Sequence, residues 1–183
     1  SNNNNSTYYG NFIGVGSDGT TNLSVATVVG VTFSENDKTL LFGGTGAGQA
    51  NIIANSGYGV MSLYDNTTIA GNIIKNNQLG VLVADTSAAA GLSSRVTLSQ
   101  NSIYQNASLG IELSKDTNGD FFAMDENIGK DLNDYLDADT GPNNYLNHPV
   151  LISATQNGSD VDMVYMLDVP VSVNPYRVEF FSN

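Results

Sequence analysis

The chain has 183 residues, only 13% of them charged against about 25% in an ordinary soluble domain, and its 18 Asp and Glu outnumber 6 Lys and Arg for a net charge of −12. Six scattered basic residues cannot neutralise a phosphate backbone or an anionic bilayer, so nucleic acid and membrane-surface binding are excluded. No apolar run reaches the roughly 18 residues of a membrane helix, so membrane insertion is excluded as well. With no Cys and one His, the chain needs no disulfide and carries no Ser-His-Asp or multi-histidine metal pattern.

The composition also points to a fold class. Asn numbers 24 and Gly 19, and both disfavour helix interiors while tolerating the left-handed backbone of tight turns. Yet 40% of the residues are apolar, which argues against disorder. Many turns with many short apolar runs predict an all-β chain with regular corners.

The N-terminal SNNNNSTYYG is polar and unlike a signal peptide, so the chain is expected to be mature, trimmed or cut from something longer. GVTF at 30–33 is the first, weak copy of a repeat. GGTGAG at 43–48 lacks the Lys-Ser/Thr of a phosphate loop and is followed by strand-like sequence, so it is expected to form a corner. Three stronger copies follow, NIIANSGYGV, NIIKNNQLGV and NSIYQNASLGI. They align Asn51, Asn72 and Asn101; Ile53, Ile74 and Ile103; Asn55, Asn76 and Asn106; Gly59, Gly80 and Gly110; and Val60, Val81 and Ile111. This alignment makes the third copy one residue longer before its second Asn. DTSAAAGLSS at 85–94 accounts for the wider second interval as a loop.

A period near 21 built from short alternating runs predicts a solenoid of three strands per coil, with parallel pairing between coils and the Asn and Gly columns at the corners. Alternation places Thr32, Met61, Leu82 and Glu112 on the outer face.

The stretch from 115 to 139 is acidic. Asp116, Asn118 and Asp120 alternate as oxygen ligands do around a hard cation, and Asp125 or Glu126 would close the shell, so the run is read either as a structural Ca²⁺ site or as a solvated acidic loop with Asx-turns. Asp131, Asp134, Asp137 and Asp139 form a second acidic knot that either binds an ion or makes Asx-turns. His148, before Pro149, reads as a turn or packing residue. Arg95, Lys115 and Glu112 form the one conceivable charged cluster, and Tyr8, Tyr9, Tyr58, Tyr64 and Tyr104 fall near corners where some could stack on sugar rings. VLISAT, VDMVYML and YRVEFF then alternate over longer runs and are expected to pair antiparallel.

GNFIGVGSDGTTNLS, LFGGTGAGQANIIANSGYGV, NSIYQNASLGIELS, DADTGPNNYLNHPVL and YRVEFFSN together resemble the right-handed parallel β-helix repeat proteins of the pectate-lyase-like superfamily. They are most similar to the repeat regions of large bacterial secreted and cell-surface proteins. The expected organisation is β-helix coils over 1–114, an acidic loop over 115–148, and antiparallel strands over 149–183 that form part of a β-sandwich. The resemblance implies a secreted or cell-surface location, since such repeats serve surface adhesins, stalks and fibres. Coil ends and edge strands would allow a homo-oligomer or filament. The other reading is a carbohydrate-active enzyme, lyase- or epimerase-like, or a carbohydrate-binding module, with polysaccharide on the outer face of the coils. No residue is assigned a catalytic role, because the basic residues such chemistry needs beside acids on an outward face are largely missing.

Overall fold

Runs of two to eight residues, many set between corners in left-handed backbone, give this chain short strands. The computed structural model describes residues 5–23, 29–33, 39–85, 95–115, 132–138, 141–172 and 174–180, with Lys115 described in its backbone only. The strands are β1 (Asn5–Tyr8), β2 (Phe12–Ile13), β3 (Val29–Phe33), β4 (Thr39–Phe42), β5 (Ile52–Ala54), β6 (Tyr58–Ser62) and β7 (Thr67–Ala70). They continue with β8 (Ile73–Lys75), β9 (Leu79–Asp85), β10 (Thr97–Ser99), β11 (Ser102–Tyr104), β12 (Ile111–Lys115), β13 (Val150–Asn157) and β14 (Asp160–Met166).

The first twelve strands form three four-stranded parallel sheets, ordered β1-β4-β7-β10, β2-β5-β8-β11 and β3-β6-β9-β12. The chain visits the three sheets in a fixed rotation, four times over. Successive visits place like residues in columns: Phe42, Ile69 and Leu98; Ile13, Ile53, Ile74 and Ile103; Val31, Val60, Val81 and Ile111. These columns point at one another and form a single core, in which Ile53, Val60, Ile69, Ile74, Val81 and Val83 have no exposed surface, while Ile111, at the end of its column, is 38% exposed. Each such side chain contributes about 1.5–3 kcal/mol by leaving water.

The corner after the first sheet carries a hydrogen-bonded Asn column. The Asn51 Nδ2 donates to Asn72 Oδ1 at 2.9 Å, and Asn72 Nδ2 donates to Asn101 Oδ1 at 3.0 Å. The backbone N–H of Asn51 and of Asn72 donates to the same oxygens, so each carboxamide oxygen receives two bonds from the residue before it in the column. The second Nδ2 hydrogen goes to a main-chain carbonyl, Tyr8 O, Phe42 O or Ile69 O. Asn11 extends the column, donating from its N–H and Nδ2 to Asn51 Oδ1. The Asn11-x-Ile13 spacing repeats Asn51-x-Ile53 and is the signal that marks it.

The second Asn column differs from the alignment Asn55, Asn76, Asn106. Asn55, Asn76 and Gln105 take left-handed backbone, with φ of 59°, 55° and 54°, while the hydrogen-bonded column is Ser56, Asn77 and Asn106. Ser56 N donates to Asn77 Oδ1 at 3.1 Å, and Asn77 Nδ2 donates to Asn106 Oδ1 at 3.1 Å. The third copy is one residue longer, as expected, but the extra residue falls between Asn106 and Ile111 rather than before the second Asn, and its left-handed corner residue is Gln rather than Asn. The two neighbours in NN at 76–77 do different work. Asn76→Gly, which any left-handed corner accepts, is expected to leave the denaturation midpoint nearly unchanged, whereas Asn77→Ala should cost about 2–3 kcal/mol by stranding buried partners.

In the sheet β3-β6-β9-β12 the expectation of one solvated face fails. β6 and β9 are buried along their whole length. Met61 and Leu82 do lie opposite the core, but they pack with Tyr58, Leu63, Leu79 and Ala84 into a second apolar cluster. Six apolar side chains on one outer face make it a packing surface. Burial correspondingly raises the Tyr58 phenol above its ordinary pKa.

Past the coils, β13 and β14 pair antiparallel around the Asn157-Gly158 turn, and both strands are exposed throughout. The expected third strand is absent: residues 175–180 run irregularly. Phe180 reaches Tyr165 edge-on at 5.4 Å, and Glu179 turns toward β10.

Candidate functional site

The end of the sheets beyond β10 and β12 is where polar chemistry collects. Residues 142–149 lie beside this end, and between them and the last strands is a cavity of about 640 Å³. Val96, Leu98, Ile111 and Leu113 line it as the last members of the core columns, joined by Glu112 and His148. Alternation along β12 turns Ile111 and Leu113 inward and Glu112 outward, in the column of Met61 and Leu82. Glu112 is nonetheless only 4% exposed.

Asparagine side chains hold the covering segment. Asn133 and His148 exchange two bonds, Asn133 Nδ2 to His148 O at 2.8 Å and His148 N to Asn133 Oδ1 at 2.9 Å, as two paired strands would. Asn147 is buried: its Nδ2 donates to Asp134 O and Asp168 O, and its oxygen accepts from Asp134 N. Asn143 exchanges two bonds with the main chain of Val96. Three successive residues here, Asn143, Asn144 and Tyr145, take left-handed backbone with φ of 45°, 55° and 51°, which Asn tolerates better than most residues. Sequence reasoning passed over Asn133, Asn143 and Asn147, because an isolated Asn in an Asn-rich loop carries no periodic signal.

The expected calcium ligands Asp116, Asn118, Asp120, Asp125 and Glu126 lie outside the described residues, as do Asp131 and Asp139. Of the second acidic knot, the Asp134 carboxylate accepts from Ala138 N, and Asp137 Oδ1 accepts from Asn147 N at 2.6 Å. Asp134 therefore closes a local turn, and Asp137 ties to a residue ten positions on. Among the described residues no three His, Cys, Asp or Glu side chains converge as a metal site.

Of the conceivable cluster Arg95, Lys115 and Glu112, the Lys115 side chain lies outside the described residues. Arg95 pairs with Asp65, Nη2 to Oδ2 at 3.0 Å, while Asp65 Oδ1 also accepts the Arg95 N–H at 2.9 Å. The structure brings Glu112 and His148, a carboxyl and an imidazole, to the wall of one cavity, which Thr97, Asn143 and Asn147 line beside the apolar residues. Glu112 and His148 both engage other groups of the protein.

Gly43 and Gly48 take left-handed backbone in GGTGAG, and Gln49 Oε1 accepts the Gly46 N–H, so this run is a corner. In the first coil, Asp18 accepts from the Thr21 hydroxyl and from Thr21 N and Thr20 N. Those bonds hold its carboxyl well below the usual range. Of the five tyrosines, Tyr8 and Tyr9 are exposed, as is Phe12, and Tyr58 is buried in the second apolar cluster.

Comparison with protein-family models, with curated proteins and with solved structures finds no match.

Proposed function

We propose that this chain is a right-handed parallel β-helix serving as a non-catalytic structural and adhesive unit of a bacterial surface protein, stalk or fibre, secreted and capable of end-to-end association. The carrying observation is the fixed rotation through three parallel sheets with unbroken side-chain columns. That arrangement spends its polar groups on stacking and leaves a strand edge at each end. The resemblance to the pectate-lyase-like superfamily supports the same reading. Calcium in the 116–126 run belongs to it as a structural ion. Mass photometry over a concentration series tests association: oligomers are expected once the edge of β10 is free, and chains that remain single with that edge freed overturn that element. Melting with and without EDTA tests the ion: the chelator is expected to lower the midpoint, and an unchanged midpoint removes calcium.

Exposed Tyr8, Tyr9 and Phe12, at 41–46% of their full accessibility, favour a second reading as a carbohydrate-binding module, since sugar rings stack on such aromatics. Incubation with uronate and neutral polysaccharides, read by unsaturated products and reducing ends, separates enzyme from structural unit. The structural reading expects neither product.

A further inference from the structure

Inside the sheet β1-β4-β7-β10, each strand directs main-chain donors at the next. Leu40 N donates to Asn66 O at 3.0 Å, and Gly71 N donates to Ser99 O at 3.1 Å. Register carries these positions forward: Leu40 aligns with Thr67, one residue before Thr68 on Thr97, so its counterpart in the last strand is Val96. Ala70 aligns with Ser99, so the counterpart of Gly71 is Gln100. Val96 and Gln100 bracket β10, and both have their N–H turned to where a further strand would lie.

Side chains meet both. Val96 N donates to Asn143 Oδ1 at 2.9 Å while Asn143 Nδ2 donates to Val96 O at 2.8 Å, the two-bond exchange that a neighbouring strand makes. Gln100 N donates to Glu179 Oε2 at 2.7 Å, and the Ser99 hydroxyl donates to Glu179 Oε1 at 3.0 Å. Arg177 holds that carboxylate through Nη2 at 2.9 Å. At the other end of the same sheet Thr7 and Tyr8 of β1 are exposed.

We propose that Asn143 and Glu179 are a latch on β10, occupying the hydrogen-bonding positions that the β1 strand of a second copy would take. The inference rests on the end-to-end association proposed above and adds its regulation. A β1 strand arriving by simple translation along the stack would pair parallel, as every strand in this sheet does, and would repeat head to tail without closing. It cannot reach Val96 and Gln100 while the carboxamide and the carboxylate hold them. A carboxylate accepts but cannot donate, so it ends the ladder rather than extending it.

The native chain has no cysteine, which permits a direct reporter. Thr7, Leu41, Thr68 and Thr97 form one column, so in a head-to-tail contact Thr7 of one copy lies on Thr97 of the next. In a parent carrying Thr7→Cys and Thr97→Cys, mild oxidation in physiological salt is expected to leave monomer. Adding Glu179→Ala, which keeps the Asn143 bonds, is expected to raise cross-linked oligomers about tenfold, as two lost charge-assisted bonds would allow. Adding Asn143→Ala as well should extend the ladder. Glu179→Gln, which retains an acceptor, should restore monomer, and single-cysteine versions, which set Cys against Thr in this contact, should stay monomeric. Oligomers equally abundant in the parent and in Glu179→Ala leave association standing and overturn the latch. Monomer throughout, with circular dichroism unchanged, overturns both.

Discussion

Asn72→Ala is expected to lower the free energy of unfolding by about 4 kcal/mol, read as a shift of the denaturant midpoint at constant slope. Asn72 has only 1% of its surface exposed and sits between two other asparagines. Its removal strands the N–H and the Nδ2 of Asn51, the carbonyl of Phe42, and part of the capacity of Asn101 Oδ1. Each buried group left unmatched costs about 1–3 kcal/mol, and these losses are not independent, so the total is less than their sum. The same substitution at Asn11, at the exposed end of the column, should cost about 1 kcal/mol, because water replaces what is lost. Equal effects at the two positions would show that the column adds nothing beyond local turn formation.

Gly80→Ala should be nearly as damaging, at about 3 kcal/mol, through a different cause. An added Cβ would lie 2.3 Å from the carbonyl oxygen of Gly110. That oxygen accepts the Val81 N–H at 2.9 Å, so it cannot retreat without weakening the pairing of β9 with β12. The side chain of Asn106 and the Ile103 methyl stand at 3.0 and 3.1 Å on the remaining sides. Gly48→Ala is the informative contrast. Gly48 has φ of 75° and open space around it, so only the left-handed backbone resists the substitution, at about 1 kcal/mol. A larger effect at Gly48 than at Gly80 would mean that conformation, rather than close approach of the strands, selects glycine in this chain.

The Gly column was legible as a repeat, yet its cause was not. Gly59, Gly80 and Gly110 could serve a left-handed corner or a close contact, and only the position of the next carbonyl decides for contact at Gly59 and Gly80. The Asn51, Asn72, Asn101 column could be read directly, because its spacing from Ile53, Ile74 and Ile103 is constant. The neighbouring Asn column could not. Left-handed corners and hydrogen-bonded ladders both favour Asn, so adjacent Asn76 and Asn77 look alike until one shows its backbone angle and the other its partners. Met61, Leu82 and Glu112 were correctly placed opposite the core by alternation, but alternation gives direction and not burial.

At the end of the stack the sequence was least informative. Asn143 and Glu179 meet β10 from 47 and about 80 residues away along the chain, at contacts no local period encodes. Glu112 and His148 share a cavity wall for the same reason. Composition and period by themselves determined an all-β chain of short strands with Asn and Gly at its corners, because turn propensity and alternation are local properties that each coil repeats. The tertiary structure alone decided which asparagines bond, which outer face is packed and what closes the final edge. Those outcomes depend on neighbours one coil or many residues away, and a residue's own surroundings in sequence hold no record of them.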